Sequence, residues 1–315
     1  MDVVVLGNAT LDVICSPVGD VPRHTSVRFK DVQVSPGGCG SNVAIGLSAL
    51  GVPTSLVASI GADDTAFLLK RYWERVGLDY SLVQSHGDFP SGVSIGLVDS
   101  QGERRFIHTS GANAQLTVDN LDVRQLAQAG ARALHVAGFF VLPGLLDGRM
   151  PLPLKEAQRL GLITSLDVVE NPAMHEPQVL WPCLPHLDVL LCNLQEATIM
   201  TGETAPDAAA KALRHKGAHI VVIKLGAQGC WVEGASPAIR IEGGESVSGI
   251  VPAQTVEVVD TTGAGDAFAA GLVAALLQGK SLLAACDFAN RTGARIVSSL
   301  GAISAWFDDP DSETR

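Results

Sequence analysis

The feature that most limits how this chain can fold is a repeated alternation. Apolar runs of strand length are each separated by a loop from a helical pattern. The runs are DVVVLG (2–7), TSLVASIG (54–61), RALHVAGF (132–139), LITSLDV (162–168), LDVLLCN (187–193) and HIVVIKLG (219–226). Near-continuous hydrophobicity marks strands covered on both faces. Helical patterns fall at 41–51, 63–77, about 119–128, 150–160, 194–201 and 206–216, and two long ones, 264–278 and 281–299, close the chain. The segment 63–77 opens on Asp63 and Asp64 and ends at Gly77, in keeping with dipole and capping preferences. Strand and helix in this order predict an α/β fold, a mostly parallel central sheet with helices on both sides. With 315 residues, 47% of them hydrophobic, the chain has material for one such domain spanning 1–315.

Two segments break the alternation. Residues 12–35 have no helical pattern and carry Pro17 and Pro22. Residues 91–109 read as a hairpin: Val93, Ile95 and Leu97 alternate, DSQG (99–102) turns, and Phe106 and His108 continue the return strand. Together, about 12–35 and 91–112, they predict a small β element inserted into the core, an edge subdomain or a lid over a ligand. The tail FDDPDSETR is polar and expected to fray.

Composition excludes several classes of partner. A net charge of −11 with only 17% charged residues argues against nucleic acid, which needs clustered Lys and Arg. No window is long and apolar enough to span a membrane, and the N-terminus lacks a signal-peptide pattern, so a cytoplasmic location is expected. The six cysteines show neither C-x-x-C pairing nor metal-ligand spacing, which predicts free thiols. Cys39 alone falls in a glycine loop.

Two nucleotide-motif candidates fail and one succeeds. AALLQGKS (274–281) matches a loose P-loop, but its first half continues a helix and Gly279 ends it. A working P-loop lies between strand and helix, so Lys280 is excluded from phosphate binding. No G-x-G-x-x-G follows the first strand, which removes a nicotinamide dehydrogenase. EVVDTTGAGDAF (257–268) has the right context: an apolar, extended run, then Gly-Ala-Gly, then a small-residue helix. Unobstructed amides at Gly263, Ala264 and Gly265 at a helix start can hold an anion. Asp266 then has two readings, a helix-start carboxylate that complements the dipole or a base beside a phosphate site.

DTTGAGDAF (260–268) is similar to the C-terminal signature of the ribokinase-like, or PfkB, carbohydrate kinases. PGGCGSNVAIGLSALG (36–51) resembles the family's N-terminal signature, GNATLDV (7–13) its first-strand motif, NLQE (193–196) its N-x-x-E motif and KLGAQG (224–229) its nucleotide loop. GAN (111–113) and FAN (288–290) also fit, and the matches run in family order from residue 7 to 301. The resemblance implies a three-layer αβα sandwich with a mostly parallel central sheet and a small β-sheet lid. It implies transfer of the ATP γ-phosphoryl group to a hydroxymethyl group of a sugar. Asp266 would be the base and the amides of Gly263, Ala264 and Gly265 the anion hole. Asp12, Gly37, Gly38, Asn42 and Asn113 would bind substrate, and Lys224, Gly226 and Asn290 the nucleotide. Asn193 and Glu196 would organise water and Mg²⁺ near the phosphates. Asp260, Thr262, Ile296, Ser299 and Gly301 would surround a monovalent cation, K⁺, although Ala305 stands where ribokinases often offer a serine ligand. Lid edges in this family often pair between subunits, which implies a homodimer.

The acceptor stays open. Arg104 and Arg105 alternate on the hairpin, so at most one faces the site. Phe106 and His108 share a face, where they would stack on a nucleobase or pack the lid. Three functions follow from these residues: a sugar kinase, a nucleoside kinase on the same scaffold, or a non-catalytic binding protein. The intact Asp266, glycine turn and Asn193/Glu196 pair argue against the third.

Overall fold

The computed structural model of the protein describes residues 1–101, 104–235, 239, 246–299 and 301–307. The chain opens with β1 (Val3–Gly7), leaves the core for β2 (Thr10–Ser16) and β3 (Asp31–Gly37), and returns through α1 (Cys39–Ala49) to β4 (Thr54–Val57). β5 (Ser59–Gly61), α2 (Asp64–Arg75) and β6 (Gln84–His86) follow, then the hairpin β7 (Gly92–Val98) and β8 (Arg104–Thr109). Next come α3 (Val123–Gln128), β9 (Ala133–Ala137), α4 (Pro151–Arg159), β10 (Ile163–Asp167), β11 (Val189–Asn193), α5 (Leu194–Thr201), α6 (Pro206–His215) and β12 (Ile220–Lys224). β13 (Cys230–Gly234), β14 (Val247–Val251), α7 (Ala264–Leu277), α8 (Leu282–Val297) and the single turn α9 (Ser304–Phe307) complete it.

The central sheet has eight strands in the order β14-β13-β12-β11-β10-β9-β1-β4. From β4 to β12 the pairing is parallel; β13 and β14 add an antiparallel edge. Strand alternation splits the core in two. Val3 and Val5 of β1 point to a cluster with Ile45, Leu69, Trp73 and Leu272 from α1, α2 and α7. Val4 and Leu6 point to a second with Leu126, Leu154 and Leu213 from α3, α4 and α6. This is why the strand reads as an unbroken apolar run. α7 is apolar on all sides for the same reason: every residue from Ala267 to Leu277 is buried.

One close approach sets the N-terminus of α1. A Cβ on Gly40 would lie 2.5 Å from the Gly7 carbonyl carbon, so backbone meets backbone where β1 ends and α1 begins. The Asn8 carbonyl accepts from the Ser41 amide at the same point.

The segments that break the alternation form one four-stranded sheet, β3-β2-β7-β8, beside the core. β2 and β7 pair in parallel, with antiparallel partners on either side. β3 is held to the core, since Gln33 Nε2 donates to Ser304 Oγ at 3.3 Å.

Three expectations are corrected. The run 54–61 is two strands: β4 stays on the central sheet, while β5 leaves after Ala58 to pair with β6. The antiparallel strands β13 and β14 were not foreseen. Val256–Val259 is not a strand; the amides of Val259 and Asp260 turn to the Val297 carbonyl at the end of α8 instead of to a sheet. Lys280 follows the end of α7, as expected for a false P-loop, with Gly279 at φ 75°. All six cysteines are free. Among the described residues no helix is long and apolar enough to cross a membrane. The tail 308–315 and the Arg104 side chain lie outside the described residues.

The β1–α1 contact leaves no room for a methyl group. Gly40→Ala is expected to cost about 1–3 kcal/mol by overpacking. Gly87→Ala, where nothing lies within 4 Å of the added carbon, should stay within about 0.5 kcal/mol of the parent. Urea denaturation of the two variants tests the pair.

Candidate active site

The C-terminal ends of the parallel strands collect the polar groups, as open α/β sheets generally do. β1 leads into the Asn8 turn, β10 ends on Asp167, β11 on Asn193 and β12 on Lys224. The N-termini of α1, α5 and α7 arrive at the same edge.

The turn before α7 admits only glycine at its first position. Gly263 has φ 76°, and a Cβ there would sit 2.6 Å from Ala302 Cα. A Cβ on Gly265 would lie 3.0 Å from Lys224 Nζ, so the ammonium group sits over the turn. The first amides of α7 have no partner within the helix, and a cation stands beside them.

Asp266 follows in the first turn of α7, half-buried. Its Oδ2 accepts from Asn42 Nδ2 at 2.8 Å, which joins α1 to α7. Burial pushes the carboxyl up to about 7, and the Asp167 charge adds to this; Asn42, Lys224 and the Cys39 thiol oppose it. Cys39 is itself held well above the ordinary thiol value by burial and by Asp266 and Asp167. It stays protonated and serves as a donor rather than a nucleophile.

Lys224 is the cation of a strongly acidic site. Burial lowers its pKa, yet Glu196, Asp167 and Asp266 together raise it above the usual lysine value. Asn193 and Glu196 form a capping box at the start of α5: Asn193 Oδ1 accepts from the Glu196 amide at 2.8 Å, and Glu196 Oε2 accepts from the Asn193 amide at 2.6 Å. Burial raises the Glu196 carboxyl and Lys224 opposes it.

On the lid side, Asp12 accepts from Thr10 Oγ1 at 3.0 Å, and burial pushes its carboxyl up to about 6. A Cβ on Gly37 would fall 2.2 Å from that carboxylate. Gly37 is therefore the residue that lets Asp12 lie over the entrance to α1. Gly38 follows at φ 83°, against the Asn8 carbonyl. Asn42 keeps one unpartnered atom, Oδ1, although the residue is only 6% exposed.

Asn113, expected to bind substrate, is buried and engaged with the backbone. Its Oδ1 accepts from the Ala9 amide at 2.8 Å, and its Nδ2 donates to the carbonyls of Ala9 at 2.8 Å and Ser110 at 3.0 Å. The amide fastens the backbone between β1 and β2.

Behind the glycine turn lies a cavity of ≈ 300 Å³. Lys224, Gly226 and Gly265 line one end; Val256, Phe268 and Val297 give apolar walls. Asn290 lines it too, its Nδ2 donating to the carbonyls of Val251 and Pro252 at 3.0 and 3.3 Å. A flat apolar base and a chain of phosphates fit these two ends. The residues expected around a monovalent cation also converge. Asp260 Oδ1 and Oδ2 each accept a backbone amide at 2.8 Å, from Thr262 and Gly301 respectively, and the Ile296 carbonyl accepts from the Ser299 amide and hydroxyl. The Ala305 carbonyl takes a hydrogen bond from Arg295 Nη2 at 2.8 Å.

Sequence reading missed a buried chain under the site. His135 meets Ser165 Oγ through Nδ1 at 2.8 Å and Asp167 Oδ2 through Nε2 at 3.1 Å, and Asp167 Oδ1 accepts from the Gly138 amide at 2.7 Å. A carboxylate closing an otherwise apolar parallel strand was the available signal.

Residues 1–308 match the family model for pfkB family carbohydrate kinases. The chain belongs to the pfkB family of carbohydrate kinases. It is 29% identical to a ribokinase of Haemophilus influenzae, over 96% of this chain and 94% of that one. It is also 26% identical to a probable fructokinase-7 of Arabidopsis thaliana, over 96% of this chain and 89% of the other. Among solved structures, the Thermotoga maritima ribokinase is similar with a TM-score of 0.77 at 25% identity, covering 96% of this kinase and 95% of that chain. The alternating strands, the lid and the glycine turn are thus those of a ribokinase-like fold, and the acidic crevice is the candidate centre of a carbohydrate kinase.

The raised carboxyls of Asp12 and Asp266 make the fold bind more protons than the unfolded chain between about pH 4 and 7. Stability is therefore lost as pH rises through that window. Asp266→Asn and Asp12→Asn should each melt higher than the parent at pH 8. The gap should close as pH falls toward 4, read from thermal melts across that range.

Proposed function

We propose that this kinase transfers the γ-phosphoryl group of ATP to a hydroxymethyl group of a sugar, with Asp266 as the base. The observation that carries this reading is the Asn42–Asp266 hydrogen bond at the mouth of the glycine turn. It fixes a carboxylate one residue beyond Gly265, which lines the cavity. A carboxyl pushed up to about 7 suits proton abstraction near neutral pH, because base strength and ionised fraction are then both useful. The hydroxyl proton passes to Asp266 as the oxygen attacks the γ-phosphorus, the bond to the β,γ-bridging oxygen breaks and ADP leaves. The amides of Gly263, Ala264 and Gly265 face the transferred group, and Lys224 balances charge beside them.

Asp12, Asn42 and the backbone of Gly37 and Gly38 hold the acceptor, with Asn42 Oδ1 left to meet it. Lys224, Gly226 and Asn290 hold the nucleotide. Mg²⁺, when bound, would supply positive charge on the phosphate oxygens; Glu196, held by the Asn193 amide, would hold it through water. We assign K⁺ to the loop of Asp260, Thr262, Ile296, Ser299 and Gly301. The support is Asp260, whose carboxylate ties the Thr262 and Gly301 amides together beside the glycine turn.

A homodimer through the lid is part of this reading. The lid face away from Asp12 exposes apolar side chains: Val32 is 58%, Val34 39% and Ile107 63% exposed. Such a patch on a sheet marks an interaction surface.

Asp266→Asn should lower kcat about 10³-fold or more while the ATP Kd stays close to the parent's. An ADP-release assay with Mg²⁺, K⁺ and a panel of sugars tests this, and near-parental kcat would overturn the base assignment. Replacing K⁺ by choline should lower turnover in the same assay. Ile107→Glu should convert a dimer to a monomer in light scattering, and an unchanged mass rejects the lid interface.

A further inference from the structure

Strand β3 meets the core at a point that also bears on the glycine turn. Gln33, Ser35 and Gly37 alternate along the strand and so share one face. Gly37 lies against the Asp12 carboxylate, and Ser35 pairs with Asp12 in register. Gln33, half-buried, reaches out of the lid. Its Nε2 donates to Ser304 Oγ at 3.3 Å, and a Cβ on Gly301 would overlap that same Nε2. The Gln33 amide thus occupies the space that a side chain at Gly301 would fill.

The residue after Gly301 completes a path. A Cβ on Gly263 would lie 2.5 Å from Ala302 Cβ and 2.6 Å from Ala302 Cα, so the first residue of the glycine turn rests directly on Ala302. Gly301 and Ala302 are both buried. Gly301 has φ 88°, a conformation that favours glycine, and its amide donates to Asp260 Oδ2 at 2.8 Å. The segment is therefore fixed from the core side while Gln33 bears on it from the lid side. Close-packed contacts of this kind transmit a displacement. A second tie holds β3 to a different element: Tyr72 Oη of α2 donates to the Val34 carbonyl at 2.9 Å.

We propose that Gln33 is a positioning residue that sets the lid against the glycine turn through Gly301 and Ala302. The inference rests on the kinase reading above. In that reading the sugar is held at Asp12 on the lid, and the phosphoryl group is held at Gly263–Gly265 on the core. Transfer needs the two aligned at close range, where a shift of about 1 Å is costly. Gln33 takes no part in the chemistry; it keeps the two halves of the site in one arrangement.

Hydrogen exchange of the full chain, at fixed Mg²⁺ and K⁺, reads the tie. The Gly301 and Ala267 amides donate to Asp260 Oδ2 and to the Gly263 carbonyl at 2.8 and 2.9 Å. Without nucleotide, Gln33→Ala should speed exchange of both about threefold or more. Adenylyl imidodiphosphate, an ATP analogue that does not transfer its γ-phosphoryl group, should slow exchange at Gly263–Gly265 and in β3 of the parent. Gln33→Ala should keep the slowing at the turn and lose it in β3. Gln33→Met keeps a side chain over Gly301 and should behave as the parent. Tyr72→Phe should speed exchange in β3 yet leave the effect of the analogue on that strand intact, which separates a loosened lid from a lost tie. Unchanged exchange at Gly301 and Ala267 in ligand-free Gln33→Ala overturns the proposal. So does a protected turn without slowing in β3 of the parent, slowing in β3 that survives Gln33→Ala, or a Gln33→Met that behaves like Gln33→Ala. Absence of slowing at Gly263–Gly265 in the parent counts against the nucleotide reading instead, and the ligand-free comparison still decides the role of Gln33.

Discussion

The hydrogen bond from Asn42 to Asp266 is the constraint on which the site depends. It joins the first turns of two helices that are far apart in sequence, α1 and α7. Each helix reaches that point because a glycine removes a side chain: Gly40 against Gly7 for α1, and Gly263 against Ala302 for α7. Two helix N-termini then face one crevice. The positive ends of both dipoles converge where a phosphoryl group would pass. The geometry of the candidate site is thus a by-product of packing tolerances set at two backbone contacts.

Around this point the charges are unbalanced by design of the fold rather than by one residue. Asp266, Asp167 and Glu196 surround Lys224, and each carboxylate acts on that ammonium group. Burial, with neighbouring negative charge, holds the Asp266 and Glu196 carboxyls above their ordinary values. Arrival of a cation would relieve this, as positive charge favours the ionised forms. The His135–Asp167 chain secures one member of the trio from below, since both Asp167 oxygens are already bonded within the core.

Much of this was legible from residue order. The apolar runs named the parallel strands, because burial on both faces leaves a one-dimensional trace, and DTTGAGDAF placed the turn and the carboxylate together. What failed has physical reasons. β13 and β14 lie at the sheet edge, where Trp231 and Ile250 stay partly exposed and no continuous run forms. Val256–Val259 has strand composition, but the end of α8 competes for its amides. The contacts of Asn113 with Ala9 and Ser110 could not be read from its motif, because they join segments far apart in sequence. Asp167 was hidden inside a strand. The alternation of faces on the lid was readable, while which face met the crevice required Asp12 and Gly37 to be seen in contact.

That alternation also limits how the lid can change through evolution. The same strands offer polar groups to the crevice on one side and an apolar sheet surface on the other. Substitution can retune either side alone. Insertion or deletion of a single residue inside β7 or β8 would exchange the two sides beyond it and put Ile107-type side chains over Asp12. A change of length within these strands should therefore cost more than a substitution, and added residues should be tolerated best in the connections between them.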